Sequence, residues 1–175
     1  MNARGQPVFP ATIPPMKPSD GASPLADSGL ARWVLPLADR QFQLALAAAV
    51  PVWAALGHGV AGALYLPIGT TAWLVFVLGR PLVEEVAFRG LLQGRLLRRL
   101  AARRLAGITW ANWLTTAAFA GLHALAQPPA WALAVVLPSL ALGHLRERFG
   151  SVWPAVIVHI VYNGGFGVTA WWMQR

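Results

Sequence analysis

The sequence predicts an all-α protein, a polytopic bundle of about five transmembrane helices with a functional site between the helices. Hydrophobic residues make up 57% of the chain and charged residues only 11%, which departs from a soluble globular composition. The arginines lie at the borders of long apolar segments. The formal net charge of +8 therefore fits a positive-inside membrane topology better than nucleic-acid binding, and we expect no nucleic-acid partner.

The first forty residues differ from the rest of the chain. Residues 1–40 contain half of the 14 prolines, together with Gly, Ser and Asp, and show no sustained periodicity. Proline also interrupts any signal-peptide core in "MNARGQPVFPATIPP". We therefore predict a flexible, Pro-rich cytoplasmic tail over residues 1–40 and a transmembrane domain over residues 41–175. The absence of cysteine excludes a disulfide framework, a thiolate metal site and a cysteine nucleophile.

Apolar segments account for the predicted spans. No formally charged residue occurs from Phe42 to Leu78, and as a helix this stretch would be ~55 Å long, more than one crossing of a ~30 Å hydrocarbon core. The chain must turn within it, and we predict the turn around Tyr65 to Gly69. Gly57-His58-Gly59 is a rival turn that would give six spans. The predicted spans are residues 42–65, 69–94, 107–126, 130–145 and 151–173.

The basic residues orient this bundle. With five spans, three groups of arginines fall on one face: Arg32 with Arg40, the cluster from Arg95 to Arg104, and Arg146 with Arg148. By the positive-inside rule this face is cytoplasmic. The sequence thus predicts an integral protein of the lipid bilayer, in a bacterial inner (plasma) membrane, with a cytoplasmic N-terminus.

Ionisable residues remain inside the predicted spans after the loop charges are assigned. They are Arg80, Glu84, Glu85 and Arg89 in the second span, His123 in the third and His159 in the fifth. A charged side chain at membrane depth costs roughly 2.5–3.5 kcal/mol on insertion scales, so a purely structural role is a weak explanation for several together. A functional role is the default hypothesis.

Helical spacing gives three spans a polar residue with a partner one turn away. The pairs are Glu85 with Arg89, Phe119 with His123, and His159 with Asn163. A polar cluster between helices would satisfy groups that lipid leaves without partners. Glu84 adds a second carboxylate with no further cation at i+4, and a carboxylate in such a site suits a general base.

Three motifs carry a resemblance to a known family. "EEVAFRG", "FAGLH" and "HIVYN" resemble, in order and type, the EExxxR, FxxxH and HxxxN motifs of the CPBP family of glutamic-type intramembrane endopeptidases. That family includes type II CAAX prenyl proteases and bacteriocin-processing proteins. The resemblance covers residues 84–163 and implies that residues 41–175 form a transmembrane protease domain.

The resemblance also implies roles for six residues. Glu84, assisted by His123, would activate a water molecule; Glu85 paired with Arg89 would order the site. His159 and Asn163 would donate hydrogen bonds to the oxyanion. The implied activity is hydrolysis of a peptide bond in or near the membrane, in a protein or peptide with a membrane-associated segment, and no cofactor is expected.

Two alternatives stay open. Two carboxylates and two histidines are a plausible zinc ligand set, although the HExxH spacing of many metalloproteases is missing, and metal-free catalysis is favoured. A non-enzymatic protein would also carry buried polar residues: a transporter or proton relay built from buried Glu and His, or a membrane scaffold or immunity protein that acts by binding.

The depths predicted for Glu84, His123 and His159 along their helices do not all agree. Counted from the cytoplasmic ends, Glu84 and His159 would lie ~15 Å and ~12 Å deep but His123 ~24 Å. If "LAGITW" lies in the interface and the third helix starts nearer Asn112, His123 rises to ~17 Å and the three levels agree. We predict this later start.

Overall fold

The computed structural model describes residues 27–60, 69–100 and 103–173. The described ranges are mostly helical, as predicted, with one short hairpin added. The elements are α1 (Arg40–Ala47), α2 (Ala49–Val60), α3 (residues 70–100), β1 (Arg104–Leu105), β2 (Ile108–Thr109), α4 (Trp110–Ala126), α5 (Pro129–Ala134), α6 (Val136–Phe149) and α7 (Trp153–Met173).

The first predicted span corresponds to α1 and α2. The helix continues through Gly57, His58 and Gly59 to Val60, so the rival turn at these glycines is wrong. The predicted turn from Tyr65 onward lies outside the described residues except for Gly69. Gly69 has φ 85° and directly precedes α3, a conformation that glycine adopts without the steric penalty of a Cβ.

Helix α3 is irregular around the EE motif. A π-helical segment, Val75–Gly79, precedes the α-helical segment Arg80–Glu85, and a second π-helical segment, Val86–Gln93, follows it. Pro81 has no backbone N–H and cannot donate the usual hydrogen bond to the residue four positions earlier. The N–H of Arg80 already reaches back five residues to the Val75 carbonyl oxygen. Such π-segments widen a helix and often occur at functional sites.

Most of the "LAGITW" stretch, from Leu105 to Thr109, lies in a β-hairpin instead of a helix. Arg104 pairs with Thr109 and Leu105 with Ile108 in antiparallel register, and the two turn residues, Ala106 and Gly107, have φ of 51° and 79°. Positive φ at both central residues is typical of a type I′ turn. Helix α4 begins directly after the hairpin, at Trp110, with the Thr109 side chain accepting from the Asn112 N–H. The later start predicted for this helix is therefore observed.

The helices enclose a core and present an apolar outer surface. Phe42, Leu142, Phe149 and Val158 belong to a buried cluster that joins α1, α6 and α7. Large apolar side chains are nevertheless exposed on several helices, among them Leu78, Val83, Leu125, Leu133, Leu137 and Trp172. Exposed apolar surface of this extent is expected where helices face lipid.

The span count is decided only in part. In the described ranges one helical stretch, Pro129–Phe149, is long and apolar enough by composition to cross a membrane. Helix α3 is longer but carries Arg80, Glu84, Glu85 and Arg89 in its interior. Five spans therefore stay a prediction.

Residues 27–39 differ from the flexible tail that the sequence predicted; residues 1–26 lie outside the described range. Asp27 and Ser28 are buried, and their backbone packs on Gly90 and Gly94 of α3. A Cβ at Gly94 would lie 2.7 Å from the Asp27 carbonyl oxygen, so only glycine permits this approach. The Arg146 Nη2 donates to the same oxygen at 2.6 Å. These buried contacts hold the segment against α3 and α6.

Asp39 fixes the start of α1. Its Oδ1 accepts from the N–H groups of Gln41 at 2.9 Å and Phe42 at 3.1 Å, and its Oδ2 accepts from Arg148 Nη2 at 2.6 Å. Burial disfavours the ionised carboxylate, but the hydrogen bonds and charge of Arg148 and the two N–H groups outweigh it. The pKa of Asp39 is therefore below its ordinary value.

We expect Asp39→Ala to lower the free energy of unfolding by about 1 kcal/mol, since it removes the cap and the partner of Arg148. Asp39→Asn retains the cap, so its free energy of unfolding should fall by less. Because the folded-state pKa is lowered, the contribution is complete above the unfolded value of about 4 and is lost as the pH falls through the folded value. Thermal unfolding in detergent, measured at neutral pH and again below pH ~4, checks whether the three proteins converge in acid. A difference between them that is unchanged in acid would contradict this account.

Candidate active site

Glu85 and Arg89 form a fully buried ion pair on α3. The Glu85 Oε1 lies 2.9 Å from Arg89 Nη1, and neither side chain is exposed. The i,i+4 spacing in the sequence predicted this pair. Both ions have left water, and further hydrogen bonds to either partner offset part of that cost.

Arg89 also donates to two oxygen atoms of Ser139 on α6. Its Nη2 donates to Ser139 Oγ at 2.8 Å and to the Ser139 carbonyl oxygen at 3.2 Å. The Ser139 hydroxyl in turn donates to Thr116 Oγ1 at 3.0 Å, and the guanidinium lies over the Phe119 ring at 4.6 Å. Arg89 therefore connects α3 with α4 and α6. Sequence reasoning missed Ser139 and Thr116, because single hydroxyl residues in apolar helices give no charge or spacing signal.

His159 joins the two adjacent carboxylates. Its Nδ1 is 2.8 Å from Glu85 Oε1, and its Nε2 is 3.8 Å from Glu84 Oε2. A carboxylate accepts, so Nδ1 carries the hydrogen of this bond when Glu85 is ionised. The Glu84 side chain is 29% exposed, whereas that of Glu85 is completely buried. The two neighbouring glutamates thus have different surroundings.

His123 has one ring nitrogen engaged and one available. Its Nδ1 lies 2.9 Å from the Phe119 carbonyl oxygen, which can only accept, so Nδ1 carries the hydrogen and Nε2 is the accepting nitrogen of the neutral ring. The Phe119 ring lies 4.4 Å from the His123 ring and 6.2 Å from the His159 ring. The two histidines, from α4 and α7, therefore approach the same aromatic side chain.

Asn163 ties α7 to the irregular part of α3. Its Nδ2 donates to the Phe76 carbonyl oxygen at 3.0 Å, and Phe76 lies within the π-helical segment Val75–Gly79. An amide nitrogen has two hydrogens, so this bond leaves a second one for another acceptor. The pairing of His159 and Asn163 one turn apart places both on the α7 surface that faces α3.

One cavity of about 430 Å³ brings most of these residues together. Its lining includes Glu84, His123, His159 and Asn163. Glu85 and Arg89 are not part of the lining and lie buried behind it. The six residues predicted from the sequence thus lie close together, four of them at the cavity surface and two beneath it. The rest of the wall is mostly apolar and includes Val75, Phe76, Trp131, Val135, Leu142 and Phe166.

A family model for type II CAAX prenyl endopeptidase, Rce1-like, matches residues 66–165, which include all six residues predicted from the sequence. The chain belongs to the Rce1-like family. This confirms the resemblance that the three motifs indicated. No curated protein and no solved structure matches the chain.

Membership of the Rce1-like family indicates a membrane-embedded hydrolase, a protease of the CAAX type. The matched region begins near the start of α3 and ends within α7. It therefore spans the helices that carry the EE, FxxxH and HxxxN motifs. The exposed apolar side chains of these helices agree with a membrane-embedded family.

The arrangement of possible metal ligands in this Rce1-like protein is sparse. Among residues 27–60, 69–100 and 103–173, no group of three or more His, Asp or Glu side chains is placed to hold one metal ion. Glu85 Oε1 is engaged by Arg89 and by His159, and His123 Nδ1 by a carbonyl oxygen.

The cavity has polar lining residues other than the six predicted from the sequence. Arg80, Gln127 and Tyr162 all contribute to the wall. Arg80 carried a sequence signal, a charge within a predicted span, whereas Gln127 and Tyr162 carried none. Tyr162 is held in place through its hydroxyl, which donates to the Ala45 carbonyl oxygen at 2.9 Å. These residues shape the space in front of Glu84.

Proposed function

We propose that the protein is an intramembrane endopeptidase in which Glu84 and His123 activate water for attack on a peptide bond. The observation that carries the proposal is the shared cavity of Glu84, His123, His159 and Asn163. A base, a second proton-accepting group and two hydrogen-bond donors around one space are the groups that acyl hydrolysis requires.

Glu84 is the general base. Its partly exposed carboxylate takes a proton from water while the water oxygen attacks the scissile carbonyl carbon. His123 holds the same water through Nε2, the nitrogen that its bond to Phe119 leaves as acceptor. The proton on Glu84 then passes to the leaving amine nitrogen as the C–N bond breaks. Water is consumed, and a carboxylic acid and an amine are formed.

His159 and Asn163 stabilise the oxyanion. The second hydrogen of Asn163 Nδ2 is available for an oxygen in the cavity, since the first is donated to Phe76. His159 donates its Nδ1–H to Glu85. In the cationic ring, with Glu85 as the counter-ion, Nε2 also carries a hydrogen and can donate it to the oxyanion. Donors positioned in a site that excludes bulk water stabilise developing negative charge strongly.

Glu85 and Arg89 position the site without touching the substrate. Glu85 accepts from His159 and holds the ring towards the cavity, and Arg89 neutralises Glu85 while its bonds to Ser139 anchor the pair to α6. The carboxylate–imidazole arrangement orients the ring, as a buried carboxylate does in other hydrolases.

The proposed substrate is a protein or peptide with a segment in or beside the membrane. The cavity wall away from Glu84 is apolar, which suits such a segment. The test compares the membrane proteomes of cells that express the wild-type protein or Glu84→Gln. Cleavage products near membrane segments or C-termini should be present only with the wild type. A proteome that is identical for the two proteins, with biological function retained, would favour a scaffold or immunity protein.

The proposed topology places the arginine-rich ends of α3 and α6 at the cytoplasmic side of a bacterial inner membrane, with the N-terminus on that side. Asp27 pairs with Arg98 of α3, and Asp39 with Arg148 of α6. These ion pairs support the placement of all three chain segments at one end of the bundle, where the positive-inside rule expects arginine.

We expect catalysis to be independent of metal. Peptide cleavage by the purified protein should persist after treatment with a strong chelator and dialysis, because Glu84 and His123 suffice to activate water in the proposed mechanism. The measurement is the initial rate before and after chelation, together with the metal content by mass spectrometry. Loss of activity that stoichiometric zinc restores would instead show a metalloprotease.

A further inference from the structure

Arg80 is a cation within the predicted second span, and no acidic side chain among the described residues pairs with it. It lies ten residues after the first residue of α3 and twenty before the last, about 15 Å and 30 Å along a helix axis. The part of the chain that the structure describes offers it no hydrogen bond or ion pair. An arginine facing lipid at this depth is unfavourable, but Arg80 is exposed and contributes to the wall of the cavity.

With one exception, the acidic side chains of the described residues form ion pairs or hydrogen bonds with residues other than Arg80. Asp27 pairs with Arg98, Asp39 with Arg148 and Glu85 with Arg89, and Glu147 accepts from Gln93 and Thr109. The exception is Glu84, which the proposed mechanism requires as a free base and which forms no ion pair with Arg80. The positive charge in the cavity is therefore available to a molecule that enters it.

The position of Arg80 relative to Glu84 defines what it can bind. Both residues lie in the α-helical segment Arg80–Glu85 and line the same cavity. They are one turn apart, about 6 Å along the axis, a distance that an extended peptide covers in about two residues. A guanidinium presents a planar fork of donors that matches a carboxylate.

We propose that Arg80 forms an anion-binding subsite that receives a carboxylate of the substrate about two residues from the scissile bond. The inference rests on the proposed function and adds a selectivity to it. The carboxylate is either the C-terminus of the substrate or an acidic side chain. Arg80 thus selects peptides in which a negative charge follows or precedes the cleaved bond at short range, whereas the apolar wall accepts the neighbouring side chains.

The test uses three pools of apolar peptides, with cleavage sites read by mass spectrometry: free C-terminal acids, C-terminal amides, and amides that contain one Asp. Wild-type kcat/KM should favour the acid pool over the amide pool about tenfold or more, mainly through KM. Arg80→Gln should bring this ratio close to one, and Arg80→Lys should retain part of it. If the amides that contain Asp are cleaved with the kcat/KM of the free acids, the ligand of Arg80 is a side-chain carboxylate. If they are cleaved like the other amides, the ligand is the C-terminus.

Arg95→Gln is the matched control, since Arg95 is exposed on the same helix but outside the cavity lining. It should preserve the acid-to-amide ratio. Binding of fluorescent acid and amide peptides to Glu84→Gln, with and without Arg80→Gln, measures the same preference without turnover. A ratio that Arg80→Gln leaves unchanged, in cleavage and in binding, would overturn the inference. Cleavage that persists in Glu84→Gln would instead contradict the proposed function.

Discussion

Glu84→Gln is expected to lower kcat for peptide cleavage by about 10²- to 10⁴-fold, the usual contribution of a general base. The substitution retains the size and hydrogen-bonding capacity of the side chain but removes the group that accepts the proton of water. Because Glu84 is partly exposed and forms no short ion pair, the protein should insert and fold normally. Purified wild-type and variant proteins in the same detergent provide the measurement.

Glu147→Gln is the matched control for this prediction. It makes the same chemical change at a half-buried glutamate that does not line the cavity, and its amide oxygen can still accept from Gln93 and Thr109. We expect this variant to retain most of its activity. A Glu84→Gln protein that cleaves within a few-fold of the wild type would remove Glu84 from the base role and leave the proposed mechanism without its first step.

Breaking the buried ion pair is expected to have the largest effect on stability. Glu85→Leu leaves the Arg89 guanidinium buried with Ser139 as its hydrogen-bond partner but without a counter-charge. Removal of one partner of a buried pair typically lowers the free energy of unfolding by about 3–5 kcal/mol, because the remaining ion has no counter-charge. We expect a marked fall in thermal stability and in the yield of folded protein.

The double variant Glu85→Leu, Arg89→Leu separates stability from catalysis. Replacement of both ions by apolar side chains should recover much of the lost stability, while activity stays low because the His159 ring has lost the carboxylate that orients it. Thermal unfolding and cleavage rates on the same preparations measure the two effects. Recovery of both stability and activity in the double variant would show that the pair is dispensable for the reaction.

Much of the site was predictable because its residues are unusual for their surroundings. Ionisable groups in apolar helices are costly, so Glu84, His123 and His159 stand out against Ala, Leu and Val. The i,i+4 spacing predicted the Glu85–Arg89 pair, which the structure contains. Helical spacing is local, and local geometry can be derived from a single segment.

Contacts between distant segments were not predictable in the same way. The hydrogen bond between Arg89 and Ser139 joins residues fifty positions apart. The contact between Asp27 and Gly94 joins the predicted tail to the second span. Neither contact produces a periodic or charged pattern. This is why the flexible-tail prediction differed from the structure at residues 27–39. The composition of a segment indicates how costly it is to bury, but it does not show which distant residues can offset that cost.

The amino-acid order therefore specified the helical class, the membrane character and the identity of the six polar residues, since hydrophobicity and helical periodicity act over a few turns. The shared cavity, the burial of Glu85 behind Glu84 and the presence of Arg80 in the wall were decided by tertiary packing. That packing depends on which helix faces meet, and so on the π-helical segments around Pro81 and the late start of α4 after its hairpin.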